Sequence, residues 1–272
     1  ARLLPMSYSI TAILGGLFSL ASYVLFPRFM NYMTGAFKPT YVVFAVLIFL
    51  ESTAVYIYWT TWDKLKGEKK MQHIILGLVL NVLGTLVMMT ANIWGSFHLS
   101  PAGIDAAGKV VNLREAIFNN TFWPLNIHRF IANVSFGGFI CAAYAAYKYL
   151  SSATSEEKAH YDWMGYTGTF IGVATMIFLP FAGYYFGMEI YSFNAQMGIT
   201  FMGGALSKIW LLQALVMAVI WIGVCYYLWI GLDRIPGAEN YKKYLKSPYA
   251  FYGIRVPRLR QIAKEYKDMN FY

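Results

Sequence analysis

Acid is scarce in this chain: 13 Asp and Glu stand against 22 Lys and Arg in 272 residues, a formal net charge of +9. Charged residues of both signs make up 13% of the sequence and hydrophobic ones 58%, whereas a soluble domain carries about 25% charged residues. That balance excludes an ordinary soluble globular domain. Cysteine is also scarce. Cys141 and Cys225 both sit inside apolar runs and are far apart. With no C-x-x-C unit, the chain offers no c-type haem attachment, iron–sulfur cluster or thiolate zinc site of its own. Any metal chemistry must rest on His, Met, carboxylates or partner subunits. Internal repeats and low-complexity segments are lacking, and with them the inverted repeats common in transporters. No cleavable signal peptide is evident; the first residue is Ala1 rather than Met, which fits either a processed start or residues missing upstream.

What is present is a series of apolar runs, each long enough as a helix to cross ~30 Å of hydrocarbon. Six are expected, near 8–26, 40–61, 72–97, 125–149, 164–187 and 206–231. The fold class is therefore an all-α integral membrane protein, a bundle of six transmembrane helices. Residues 1–233 are expected to form one helical membrane domain and residues 234–272 a basic cytoplasmic tail, in which Pro236, Pro248 and Pro257 interrupt any long helix. An aromatic content of 18% suits belts at the membrane interfaces.

The net positive charge does not point to nucleic acid, because the basic residues flank the spans. One side holds Arg2, Lys64, Lys66, Lys69, Lys70, Lys148, Lys158 and the tail from Arg234 to Lys267. The other holds Arg28, Lys38, Lys109, Arg114, Arg129 and Lys208. By the positive-inside rule both termini are cytoplasmic, and the loops after spans 1, 3 and 5 lie outside. The tail segment Val256–Lys267 mixes basic and apolar residues and is read as a solvated flank or a surface for anionic lipid or a cytoplasmic partner.

Polar groups inside the spans are costly, so each is a functional candidate. Glu51, within Phe49-Leu50-Glu51-Ser52-Thr53, is the carboxylate nearest the centre of a span. It suits proton transfer, or a neutral acid hydrogen-bonded to a neighbouring helix. Asn81, Asn92 and Asn133 read most simply as interhelical hydrogen-bonding groups. Of the four histidines, His128 lies one turn into span 4 on the outer side, followed by Ser135, Gly137 and Gly138, small residues that admit a flat macrocycle or a second helix. Imidazole is a common haem ligand, and the adjacent Arg129 could pair with a haem propionate; the plainer reading is an interfacial His bonded to a loop carbonyl. His98, at the outer end of span 3, is an alternative second ligand. His73 lies at the other end of that span, about 37 Å away at 1.5 Å per residue, so His73 and His98 cannot share one haem. His160 reads as a solvated loop residue. Met188, Met197 and Met202 lie near the outer face, with Gly203 and Gly204 beside Met202. A His/Met pair would favour a higher haem potential.

Taken in order, five motifs resemble subunit I of the cytochrome bd quinol oxidases. They are Phe49–Thr53 followed by Trp62-Asp63-Lys64-Leu65, Thr90-Ala91-Asn92-Ile93-Trp94, Asn126-Ile127-His128, and Ala182-Gly183-Tyr184. The similarity runs over most of residues 8–190. It implies that His128 is an axial ligand of a low-spin haem b near the outer face and that Glu51 is a proton-pathway carboxylate. It also implies that Met202 is the second haem ligand, with Asn92 and Trp94 near the cofactor. The implied function is a quinol-linked oxidoreductase subunit in a bacterial or archaeal cytoplasmic membrane. It would pass electrons between quinol or quinone and a cytochrome or iron–sulfur partner.

The chain also departs from the family. The helix bearing the histidine of the oxygen-binding haem has no counterpart, Val43 replaces a second glutamate, and the quinol loop is reduced to about 188–205. The two final helices are absent as well. Other membrane subunits are therefore expected to supply the missing helices. The rival expectations are a haem-free scaffold or proton-pathway subunit of a split bd-type oxidase, and a transporter using Glu51 as its ion site.

The topology can be checked directly. In a background with both native cysteines replaced by serine, Ala106→Cys on intact cells should react with a membrane-impermeant maleimide, and Glu68→Cys only after lysis. The opposite pattern would invert the orientation.

Overall fold

The computed structural model of the chain describes residues 3–204 and 206–231. The basic tail expected over 234–272, and Arg2, lie outside the described residues. Among those described, the chain is helical apart from loops and one isolated bridge, Ile104 with Val110. The helices are α1 (Leu3–Leu25), α2 (Pro27–Ala36), α3 (Lys38–Thr60), α4 (Lys70–Leu99), α5 (Leu113–Ile117), α6 (Phe122–Ser151), α7 (Ser155–Met176), α8 (Leu179–Phe193), α9 (Ala195–Met202) and α10 (Ser207–Gly231).

Six segments are long and apolar enough to span a membrane, and they coincide with the six expected runs. This is a multi-pass membrane protein with an all-α bundle fold. Local chemistry sets the helix ends. Pro27, Pro39 and Pro180 stand in the first turns of α2, α3 and α8, where a missing N–H leaves no intrahelical bond broken. Pro180 also explains why the fifth apolar run, expected as one helix, is two: α7 stops at Met176 and α8 begins at Leu179. The stretch 188–205, expected as a loop, is largely helical; α8 continues to Phe193, and Asn194 caps α9 by accepting from Met197 N at 3.0 Å.

The chain divides into two compact units. Among the described residues, one comprises the chain up to Phe136 with Ala174–Leu211, the other Gly137–Val173 with Leu212–Gly231.

In the first unit α3 and α4 pack antiparallel along one register. Trp62 meets His73, Tyr58 lies against Gly77, Glu51 against Gly84, and Tyr41 stacks on Trp94. Each step along α3 is matched by an equal and opposite step along α4. The stripe of α4 that faces α3 therefore carries small residues where α3 is bulky. At the end of α4 near Ser100, a core forms from Met33, Phe37, Ile93, Phe97, Ala116 and Phe122. A buried polar lock lies beside it. Ser100 Oγ is 2.7 Å from Thr121 Oγ1 and donates to Asn119 Oδ1 at 2.9 Å, and Asn119 Nδ2 donates to Ser96 Oγ at 3.0 Å. Thr121 Oγ1 also donates to the Ser96 carbonyl at 3.0 Å. These groups satisfy one another at a place where each unpaired donor would cost about 1–3 kcal/mol. The lock ties the end of α4 to the start of α6.

In the second unit glycines let two helices touch backbone to backbone. A Cβ on Gly138 of α6 would stand 2.6 Å from Gly172 N and 2.7 Å from Gly168 O, both on α7. Tyr227 donates to Asp162 Oδ1 at 3.3 Å in the same unit. Close backbone approach of this kind drives helix association in lipid, where the hydrophobic effect between helices is absent.

Gly138→Val should lower the unfolding midpoint in detergent, by about 1–3 kcal/mol of overpacking. Gly137→Val, at a position with nothing within 4 Å of the new Cβ, should leave it unchanged. Equal effects of the two substitutions would refute this packing.

Candidate functional site

All of the expected site residues fall in the first unit. His128 is carried on the first turns of α6, and α6 presents different residues to different neighbours. Asn126 and Arg129 reach α4, whereas the half-buried His128 ring turns to α8. Its Nε2 and Cδ2 lie 3.6 Å from where a Cβ on Gly183 would be, and the ring stacks on Phe186 at 6.1 Å between centroids. One turn further along α8 is Gly187. A Cβ there would stand 3.3 Å from Met202 Cε and 3.5 Å from Met202 Sδ. Met202, at the end of α9, thus faces the same strip of α8 as His128. The strip reads Gly183-Tyr184-Tyr185-Phe186-Gly187, a G-x-x-x-G spacing visible in the sequence but not weighed there. His128 makes no hydrogen bond among the described residues.

Behind His128 lies a polar triad. Asn92, 1% exposed, donates from Nδ2 to Asn126 Oδ1 at 2.8 Å and accepts at Oδ1 from Arg129 Nη1. Asn126 Nδ2 in turn donates to Phe122 O at 2.7 Å. One guanidinium nitrogen is therefore held by a neutral amide, and the other donors of Arg129 remain for an anion. Trp94 donates from Nε1 to Thr40 Oγ1 at 2.9 Å and stacks on Tyr41 at 4.0 Å, so it serves the α3–α4 seam next to Asn92. Asn133, on α6 one turn past Arg129, donates to the Met88 sulfur at 3.1 Å.

His98 turns elsewhere. Its ring tilts against Phe29 at 5.0 Å and lines an open cleft of about 350 Å³ with Tyr32, Met33, Phe97, Pro101 and Ile104. His98 and His128 look onto different elements.

Glu51 is half-buried in α3. A Cβ on Gly84 would be 2.9 Å from its Oε1, so that glycine makes the space the carboxyl occupies. The neighbouring Ser52 Oγ is hydrogen-bonded to Tyr8 of α1 at 2.7 Å. The sequence singled out Glu51 but not Tyr8 or Gly84, because their relevance depends on which helices adjoin α3. Among the described residues no cluster of three or more His, Cys, Asp or Glu is assembled. His128 and Met202, an imidazole and a thioether, lie along one strip of α8 at Gly183 and Gly187.

No curated protein and no solved structure matches this chain. A family model does match: cytochrome bd terminal oxidase subunit I, over residues 6–205. That stretch contains Glu51, Asn92, Arg129, His128, Met202 and the glycine strip of α8, and it covers most of the chain. The protein belongs to the cytochrome bd terminal oxidase subunit I family.

Proposed function

We propose that this chain is the haem b-carrying electron-transfer subunit of a membrane respiratory complex, moving electrons between quinol and a partner redox subunit. The observation that carries the reading is the strip of α8 at Gly183 and Gly187, against which the His128 imidazole and the Met202 thioether both lie. A nitrogen and a sulfur donor are a ligand set that suits a higher-potential haem, and the two glycines let both side chains approach the α8 backbone. When bound, the haem supplies a one-electron carrier.

The chain's own residues would do the rest. His128 and Met202 hold the iron. Arg129 offers its remaining guanidinium donors to a propionate, and Asn92 is a positioning residue that holds Arg129 in place. Trp94 stiffens the seam beside Asn92. His98, turned towards Phe29, is the weaker candidate for second ligand. Glu51, kept off the lipid by the notch at Gly84 and set beside the Tyr8–Ser52 pair, carries protons within the membrane. With the topology inferred from charge, the haem lies near the outer face of a bacterial or archaeal cytoplasmic membrane. Partner membrane subunits complete the complex, and a cytochrome or iron–sulfur protein exchanges electrons with it. The chain then acts as part of a quinol-linked oxidoreductase.

A reduced-minus-oxidised spectrum of the purified complex should show a b-type band that is lost in His128→Ala. Met202→Leu should lower the midpoint potential of that band, since a thioether ligand raises it. An unchanged spectrum in His128→Ala would assign the haem to a partner and leave this chain as a scaffold or proton-pathway subunit.

A further inference from the structure

His73 stands on the first turn of α4, at the end of the α3–α4 seam away from His128. Both its ring nitrogens are buried and lack a hydrogen-bond partner. Tyr58 stacks on the imidazole at 4.3 Å with an interplanar angle of 22°, and Trp62 meets it edge-on at 5.0 Å. A phenylalanine would fill the same stack without nitrogen. Retaining an imidazole there costs about 1–3 kcal/mol for each unpaired polar atom, so packing alone does not account for it.

We propose that His73 is a proton-transfer residue, which takes protons at the Lys69–Lys70 end of α4 and feeds them along the α3–α4 seam to Glu51. The proposal rests on the reading of Glu51 as the proton-carrying group. The register of the two helices supports the direction. His73, Gly77, Asn81 and Gly84 recur at helical spacing on one face of α4. Of these, His73 meets Trp62 and Tyr58, Gly77 meets Tyr58 and Gly84 meets Glu51. His73 and Glu51 thus terminate one line. Between their levels lie about 16 Å of helix, at 1.5 Å per residue. Direct transfer is too long, and the Tyr58 hydroxyl, the Asn81 amide and water inserted along the seam would relay. The step is a proton transfer only: an imidazolium N–H bond breaks, a carboxylate O–H bond forms, and no electrons move.

The titratable groups of the surrounding elements are Tyr58 on α3, Tyr8 on α1 and Lys69 and Lys70 ahead of His73. The connecting segment adds Lys64, Glu68 and the ion pair of Asp63 with Lys66 at 2.7 Å. A cluster of surface charges at that end, with one buried imidazole behind it, is an arrangement that can collect protons from water and hand them inward.

The test follows protonation of Glu51 by rapid-scan infrared spectroscopy after a pH jump on the reconstituted complex. The carboxyl band is assigned by its loss in Glu51→Gln. His73→Phe, which keeps the aromatic stack, should slow the band's appearance at least tenfold without lowering the unfolding midpoint or altering the haem spectrum. His73→Gln, which restores a polar group, should recover part of the rate. An unchanged rate in His73→Phe overturns the proposal, as does a slow rate accompanied by a lowered midpoint in both variants, which would mark a structural residue. The infrared signal needs no haem. A missing b-type band with a His73-dependent rate would sink the electron-transfer reading alone. A normal b-type band with a His73-independent rate would sink this proposal alone.

Discussion

The antiparallel register of α3 against α4 governs the first unit. It is set by size complementarity: Tyr58 requires the space at Gly77, and Glu51 requires the space at Gly84. A slip of one residue would set a side chain of α4 against Tyr58 at one level and against Glu51 at the other. Once the register holds, Trp94 falls beside Tyr41 and Thr40, and Asn92 is left free to turn the other way towards α6. The polar triad that restrains Arg129 is therefore downstream of two glycines several turns away. In lipid, where apolar faces gain little by meeting each other, such steric fits and a few buried hydrogen bonds carry the specificity that a hydrophobic core carries in water.

Two G-x-x-x-G spacings in neighbouring helices show how one sequence pattern serves two ends. Gly168 and Gly172 of α7 receive the backbone of α6 at Gly138, which is simple helix packing. Gly183 and Gly187 of α8 receive side chains instead, the ring edge of His128 and the thioether of Met202. The difference lies in the partner. α6 offers a glycine at Gly138 and an imidazole at His128, and α9 brings a flexible methionine to the second notch. A pattern that most often signals helix association is here also the feature that lets an imidazole and a thioether approach one strip of α8.

Much of this was legible in the sequence because the membrane simplifies the reading. Run length and hydropathy are enough to find six spans. The rarity of intramembrane charge makes Glu51 conspicuous without any structure. What could not be read was which faces meet. His98 and His128, paired by their common side of the membrane, diverge because α4 uses Asn92 and Ser96 to bond its neighbours around α6. His98 lies about 200° round the helix from Ser96, which turns its ring to Phe29. Helix α2 was hidden for a similar reason. Its polar residues suggest a loop, and it is folded by the burial of Met33 on α2 and of Phe37 just beyond its end, against a core made by distant segments. Helix α9 did carry a local sign, an asparagine ahead of an apolar turn, but that sign is weak until the chain is seen to close on itself.

Glu51 and Val43 illustrate one rule from opposite sides. They lie eight positions apart on α3, about 80° apart round the helix, and Val43 is 52% exposed. Glu51 has a notch on α4 and hydroxyls beside it, whereas Val43 leaves an apolar side chain exposed. The acid persists where neighbours can neutralise it and valine stands where they cannot. The same neighbours also attach α1. None of the apolar window of that helix is buried, and the Tyr8 hydroxyl joins it to Ser52 and to the Ile48 carbonyl, at 2.7 and 3.4 Å. A polar contact in hydrocarbon contributes about 1 kcal/mol, a large share of the hold on a helix with so little else buried. Glu51 and Ser52, the residue that anchors α1, are thus adjacent on one helix.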